Sequence, residues 1–108
     1  MATENEILSR LTKESNKKGV VLTYTHKLFF LRLLKYAGVA GESLDDGFSL
    51  SLSVKELSEV LEIPFRTTVQ CLNRLSACGA IQRTEAIKTF PRSPSKTLVC
   101  KNFYEKEK

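Results

Sequence analysis

Three observations predict an α+β fold. Four stretches, at about 3–18, 25–37, 53–61 and 65–78, place apolar residues at helical spacing, and most of them carry a capping residue ahead of the stripe. A short run at 48–52, "FSLSL", alternates apolar and polar with a period of two, as a half-buried strand does. Near the end "AIQRTEAIKTF" and "TLVCKNF" are rich in Ile, Thr, Val and Phe and flank "PRSPSK", the composition of a β-hairpin with a basic tip. The expected architecture is a three-helix core with one short strand and a C-terminal hairpin, preceded by an N-terminal helix.

In chain order, Thr3 and Glu6 form a possible capping box for a first helix with Ile7, Leu8 and Leu11 on one side. After Gly19, Thr23 or Thr25 caps a second helix over residues 25 to 37, ending near Gly38. Leu28, Phe29, Phe30, Leu31, Leu33, Leu34, Tyr36 and Ala37 cover most of its circumference and leave a narrow polar strip around Arg32 and Lys35. A helix apolar almost all round is central or covered by a second surface; in a domain this small a central position explains part of it, and for the rest residues 29 to 36, Phe29 and Tyr36 included, are expected to pair two copies as a homodimer. "VAGESLDDG", 39 to 47, reads as a loop. Ser53 and Glu56 make a second capping box before Val54, Leu57, Val60 and Leu61, and Ile63 with Pro64 interrupts that helix. The last helix, about 65–78, stops at Gly79; residues 80–103 form the hairpin, and 104–108, "YEKEK", are expected to fray. The chain thus divides into an N-terminal helical extension (1–19), a core (20–103) and a tail, with no linker or repeat.

A length of 108 residues fits one small domain, and 42% apolar with 27% charged residues match soluble globular protein. No segment has the apolar run of a signal peptide or membrane span, so the expected location is the cytoplasm. Cys71, Cys78 and Cys100 are odd in number, form no CxxC and have only His26 as a nitrogen partner, which argues for reduced, packed thiols and against a disulfide framework or a metal site. No constellation supplies a nucleophile, a base and an oxyanion donor, and no Gly-rich loop cradles a phosphate; neither an enzyme nor a cofactor is expected.

The net charge of +5 is unevenly placed. Residues 1 to 63 hold 8 Lys/Arg against 9 Asp/Glu, a balance of −1, while residues 64 to 108 hold 9 against 3, a balance of +6. A one-sided positive field suits a polyanion. The basic half lacks the amphipathic helix that membrane-surface binding uses, which leaves nucleic acid as the expected partner.

Two short helices joined by a tight turn and followed by a hairpin are the order of a winged helix-turn-helix. Over "SVKELSEVLEIPFRTTVQCLNRLSACGAI" the sequence resembles that family, with Leu57 and Leu61, the small Ser58, Ile63 in the turn, Thr68 and Val69 entering the second helix, Leu72 and Leu75 on its buried side, and Gly79 with Ile81 leading into the wing. Upstream, "LTYTHKLFFLRLLKYAG" resembles the first helix of winged domains in small bacterial transcription regulators and in replication proteins of phages and plasmids. The resemblance implies double-stranded DNA as partner, helix 65–78 in the major groove, and the wing on the backbone or in the minor groove.

The helical period gives that helix its sides. With Val69, Leu72, Leu75 and Ser76 inward, Arg66, Thr67, Gln70, Asn73, Arg74 and Ala77 point outward. Arg suits guanine, Gln and Asn suit adenine, and Thr offers a hydroxyl and a methyl group. Thr68, in the first turn with Arg66 and Thr67, adds backbone N–H groups for a phosphate. Lys88, Arg92, Ser93, Ser95 and Lys96 around the hairpin tip would contribute affinity and register. Asn73 and Cys71 fall at the edge of the outward face, and His26 reads as a structural histidine rather than a pH sensor. Alternatives to a transcription regulator are a replication or partition accessory protein, and a winged domain used only for protein contact.

Overall fold

In the computed structural model, which describes residues 2–84 and 96–105, the chain is built around one helix. This helix, α2, runs Tyr24–Ala40 and buries His26, Phe29, Phe30, Leu33, Leu34 and Ala37, the three- and four-residue spacing of a single stripe. Around it lie α1 (Glu4–Lys17), α3 (Val54–Val60) and α4 (Phe65–Ala77), with an antiparallel sheet of β1 (Glu42–Leu44), β2 (Gly47–Ser51), β3 (Ile81–Thr84) and β4 (Lys96–Cys100) in the order β1-β2-β4-β3. Helix α2 touches α1, α4, β1, β2 and β4. The α+β class, the strand at 48–52 and the pairing of 81–84 with 96–99 agree with the sequence-based expectation. The hairpin tip with Lys88, Arg92, Ser93 and Ser95 lies outside the described residues.

Capping explains where the helices begin. Thr3 accepts from Glu6 N–H, and Ser53 and Glu56 exchange bonds in a full capping box. At α2 the cap is Thr23, and the residue three positions on is His26, whose Nδ1 accepts the Thr23 N–H at 3.1 Å while the Thr23 hydroxyl accepts the His26 N–H. His26 therefore fills the place that Glu or Gln usually takes in such a box.

The ends of α3 and α4 follow one pattern. At α4, Ala80 N–H bonds Leu75 O and Gly79 N–H bonds Ser76 O, with Gly79 at φ +86°. At α3 the same two bonds run from Ile63 to Ser58 and from Glu62 to Glu59, but the left-handed residue is Glu62, φ +55°. A side chain in that region costs about 1 kcal/mol, so the α3–α4 turn is held at some expense.

Several expectations need correction. Helix α2 passes through Gly38 and ends at Gly41, because a Cβ at position 41 would sit 2.6 Å from Ala37 O and 3.0 Å from Ser49 O; the close approach of β2 sets the end. The stretch read as a loop, 39–47, holds the last turn of α2 and β1, which pairs with β2 from Glu42↔Ser49 to Leu44↔Gly47. Val60 is exposed, and the stripe of α3 consists of Leu57, Ser58 and the following Leu61. Nor do the first residues of the tail fray. Tyr104 is buried, stacks on Phe48 at 5.1 Å between ring centroids, and accepts the Ala2 N–H at its carbonyl, while Phe103 meets Phe30 edge to face. Arg10 of α1 bonds the carbonyls of Asn102 and Glu105. The two chain ends thus lock each other onto α2.

The expected dimer surface is changed by the same packing. Phe29, Phe30, Leu33 and Leu34 fill the chain's own core, Leu31 and Tyr36 are half-buried, and the exposed large apolar residues of α2 are Tyr24, Leu28 and Val39, spread along its length. The apolar circumference reflects a central helix.

Two predictions follow from this packing. Phe30→Ala removes a fully buried ring and should cost about 3–5 kcal/mol in urea unfolding. Burial first, then the nearby Arg74 charge, holds the His26 pKa below its usual value. The folded chain therefore binds fewer protons there than the unfolded chain. The associated stability is complete above about pH 6.5, the unfolded value, and is lost as pH falls through the lower folded value. His26→Gln keeps an acceptor for Thr23 N–H and should flatten the fall in urea midpoint between about pH 7.5 and 5, whereas an unchanged pH profile would remove His26 as its source.

Candidate nucleic-acid interface

Helix α4 begins at Pro64, whose carbonyl accepts the Thr68 N–H at 2.9 Å and the Thr68 hydroxyl at 3.0 Å. Proline fits this boundary because its fixed φ suits a helix start and it lacks an N–H to satisfy. The buried stripe of α4 is Thr68, Cys71, Leu72 and Leu75, continued by Cys78 after the helix. That differs from the expected Val69, Leu72, Leu75 and Ser76: Val69 is half-buried and Ser76 exposed.

The shift corrects one site residue, Thr68, and bears out the reading of Cys71 as a packed thiol. Thr68 has 0% of its surface exposed, and both its hydroxyl and the N–H expected to serve a phosphate are spent on Pro64 O, so neither can meet a ligand. Cys71, expected at the edge of the outward face, is 0% exposed, and burial raises its thiol pKa. A thiolate needed for a redox switch is disfavoured there.

Arg66, Gln70, Asn73, Arg74 and Ala77 remain exposed on one face of α4, as the period predicted. Among the described residues, Arg66, Gln70, Asn73 and Arg74 make no side-chain hydrogen bond or ion pair. Arg74 lies near enough to His26 for its charge to disfavour the imidazolium, which places it beside the start of α2. Thr67 is half-buried at the edge of a cleft of about 210 Å³ between α2 and α4, with Leu28, Phe29, Arg32, Ile63 and Cys71. Lys96, the first residue of β4, is exposed and pairs across the ladder with Thr84 and Ser51.

Sequence reasoning missed three features. Phe65, the first residue of α4, is 56% exposed beside Arg66; its place ahead of the buried stripe was the available signal. Arg32 was read as part of a wet strip on α2, yet it borders the same cleft as Thr67. A second cleft, of about 440 Å³, gathers Arg10, Lys13, Lys17 and Lys18 with Glu14 between α1 and the C-terminal turn. The spacing of Arg10, Lys13 and Lys17 marks one helix face, but the near-zero charge balance of residues 1–63 hid it. Lys18 bonds Cys78 O at 3.1 Å and so caps the end of α4.

Among the described residues, no group of three His, Cys, Asp or Glu side chains could hold a metal ion, and no helix is long and apolar enough to cross a membrane.

The fold occurs in solved structures of other proteins. A structure described as that of a Rep–DNA complex matches with a TM-score of 0.60 at 13% identity, covering 81% of this chain and 78% of that one. The N-terminal domain of a DNA-binding protein matches with a TM-score of 0.59 at 13% identity, covering 81% and 77%. No family model matches the chain, and no curated protein does. At this identity the likeness is one of fold.

The buried thiols provide a check on the corrected face. Cys71 and Cys78 should react with a thiol reagent on the order of 100-fold more slowly in the native protein than in urea, because reaction requires opening of the core. Mass spectrometry of the labelled peptides reads this, and native labelling of Cys71 at the unfolded rate would return it to the surface.

Proposed function

We propose that the protein is a winged helix-turn-helix that binds double-stranded DNA sequence-specifically, with α4 in the major groove and the β3–β4 hairpin along the backbone or minor groove. The observation that carries this reading is the exposed face of α4, where Arg66, Gln70, Asn73 and Arg74 stand together without hydrogen-bond or ion-pair partners among the described residues. Polar side chains left uncommitted on one helix, beside a hairpin in the basic half of the chain, suit base edges and phosphates. The fold likeness to a Rep protein in complex with DNA and to a domain of a DNA-binding protein supports the same reading.

Within that reading, Arg66 and Gln70 are the base-reading residues, with Asn73 and Arg74 further along the face. Thr67 contacts the backbone from the edge of the cleft, Thr68 contributes only its place in the first turn, and Lys96 meets phosphate. The role is binding rather than catalysis. As a transcription regulator the protein would act at promoters. The likeness to a Rep protein favours a second reading, a replication accessory role at an origin, and the genomic position of the selected site separates the two. Pairing of two copies is proposed only if the preferred site is two-fold, since α2 spends its large side chains inside the chain.

A salt series of duplex binding, followed by site selection, tests the proposal. Arg66→Ala and Gln70→Ala should each cost about 1–3 kcal/mol and relax preference at particular positions. Lys96→Ala should weaken all sequences alike and reduce the salt slope by about one. Thr68→Val, altering a buried residue, should leave site preference unchanged. Failure of the wild type to bind any duplex at low salt would instead favour protein contact as the domain's use.

A further inference from the structure

At the root of the hairpin two polar side chains lie directly opposite each other in the β3–β4 ladder, Arg83 and Thr97. Both have a buried atom without a hydrogen-bond partner: Nη1 of Arg83 and Oγ1 of Thr97. Alternation along each strand puts them on the same side of the sheet as Ile81 and Val99, which are fully buried, so they face the helical layer that includes α4. Thr97 is 0% exposed, whereas Arg83 keeps part of its surface open.

This arrangement is costly for the free fold. A buried hydroxyl without a partner forfeits its hydrogen bond to water, and a desolvated guanidinium forfeits more. Burial lowers the Arg83 pKa, and no carboxylate among the described residues offsets it. Directly paired strand residues have Cβ atoms about 5 Å apart, well within the reach of an Arg side chain, yet the two groups are not bonded. A purely structural pair would be bonded, or replaced by apolar residues of similar size. An anion on the open edge of the guanidinium would complete the pair.

We propose that Arg83 is a phosphate-binding residue at the root of the hairpin, positioned by Thr97 and completed when a DNA backbone phosphate engages it. The phosphate accepts two N–H bonds from the open edge, which fixes the guanidinium plane. The inner Nη1 then donates to Thr97 Oγ1, and both orphaned atoms are satisfied together. The phosphate reached from here lies in the angle between α4 and the hairpin, so this contact would set the position of the helix relative to the backbone and read no base.

The inference rests on the DNA-binding reading, and its signature is opposite signs in stability and binding. Arg83→Met should leave the thermal midpoint of the free protein equal or higher, weaken binding to all duplex sequences roughly tenfold, and lower the salt slope by about one. Thr97→Val should also spare stability, weaken binding less, and have no further effect in the Arg83→Met background. A fall of several degrees in midpoint with Arg83→Met, or unchanged duplex affinity, would overturn the proposal; unchanged affinity is also what a bound water as the orphaned atoms' partner would give. Inorganic phosphate separates this inference from the wider reading. If the wild type binds no duplex at low salt but phosphate raises its midpoint and not that of Arg83→Met, the DNA reading falls and the anion site stands. Equal midpoint shifts in both proteins would sink the site.

Discussion

Everything in this fold leans on the burial of one face of α2. Phe30 and Leu33 are fully enclosed, and the elements that enclose them come from both ends of the chain: α1 and Phe103 on one side, β2, β4 and α4 on the others. A domain of this size has little core to spare. The helix therefore cannot be moved to suit a ligand without loosening α4, and α4 presents its polar face at an angle fixed by that packing. The left-handed Glu62 is the local cost of the same constraint, since it turns the chain from α3 into α4 within four residues.

Sequence periodicity made most of this legible where one residue class carried the signal alone. The caps at Thr3, Thr23 and Ser53, the strand at 48–52, the stop at Gly79 and the hairpin strands were all readable, because each depends on local chemistry. The errors came where two signals had to be weighed. On α4 the helical step put Val69 inside, Thr68 in the first turn as a phosphate contact, and Cys71 at the edge of the outward face although its thiol was expected to pack. A Thr whose hydroxyl bonds the carbonyl four residues back is an apolar side chain to its neighbours, and a thiol packs as one. Moving the stripe by one residue still left Arg66, Gln70, Asn73 and Arg74 outside, since they lie near the centre of the opposite face.

Tertiary contacts account for the remaining misses. Nothing local distinguishes Gly38 from Gly41 as a helix terminus; only the carbonyls of Ala37 and Ser49 around position 41 do. The apolar girth of α2, expected to serve partly a central position and partly a second copy, is taken up largely by the rest of the chain, with Tyr24, Leu28 and Val39 left exposed. Tyr104 looked like tail because the Phe48 ring that holds it is far away in sequence. The cationic cleft of α1 was invisible to a charge balance taken over half the chain, which averages Arg10, Lys13, Lys17 and Lys18 with acidic residues elsewhere.

The distribution of committed and uncommitted polar groups separates scaffold from working surface more sharply than charge does. Lys18 is committed to the end of α4, Arg10 to the C-terminal carbonyls, Thr68 to Pro64, and His26 to the start of α2. Each completes a helix end or ties one segment to another. Among the described residues Arg66, Gln70, Asn73 and Arg74 have no such task, and Arg83 and Thr97 carry atoms left unsatisfied at a cost. A chain with few residues to spare from its core retains such groups where a partner completes them. Strand β3, which carries Arg83, packs on α4, so the two sets stand on neighbouring elements, one exposed and the other recessed. A recessed guanidinium also holds an anion with a fixed geometry that a long surface lysine lacks, so on the proposed reading a single such contact would set the register of α4 that the exposed side chains alone leave open.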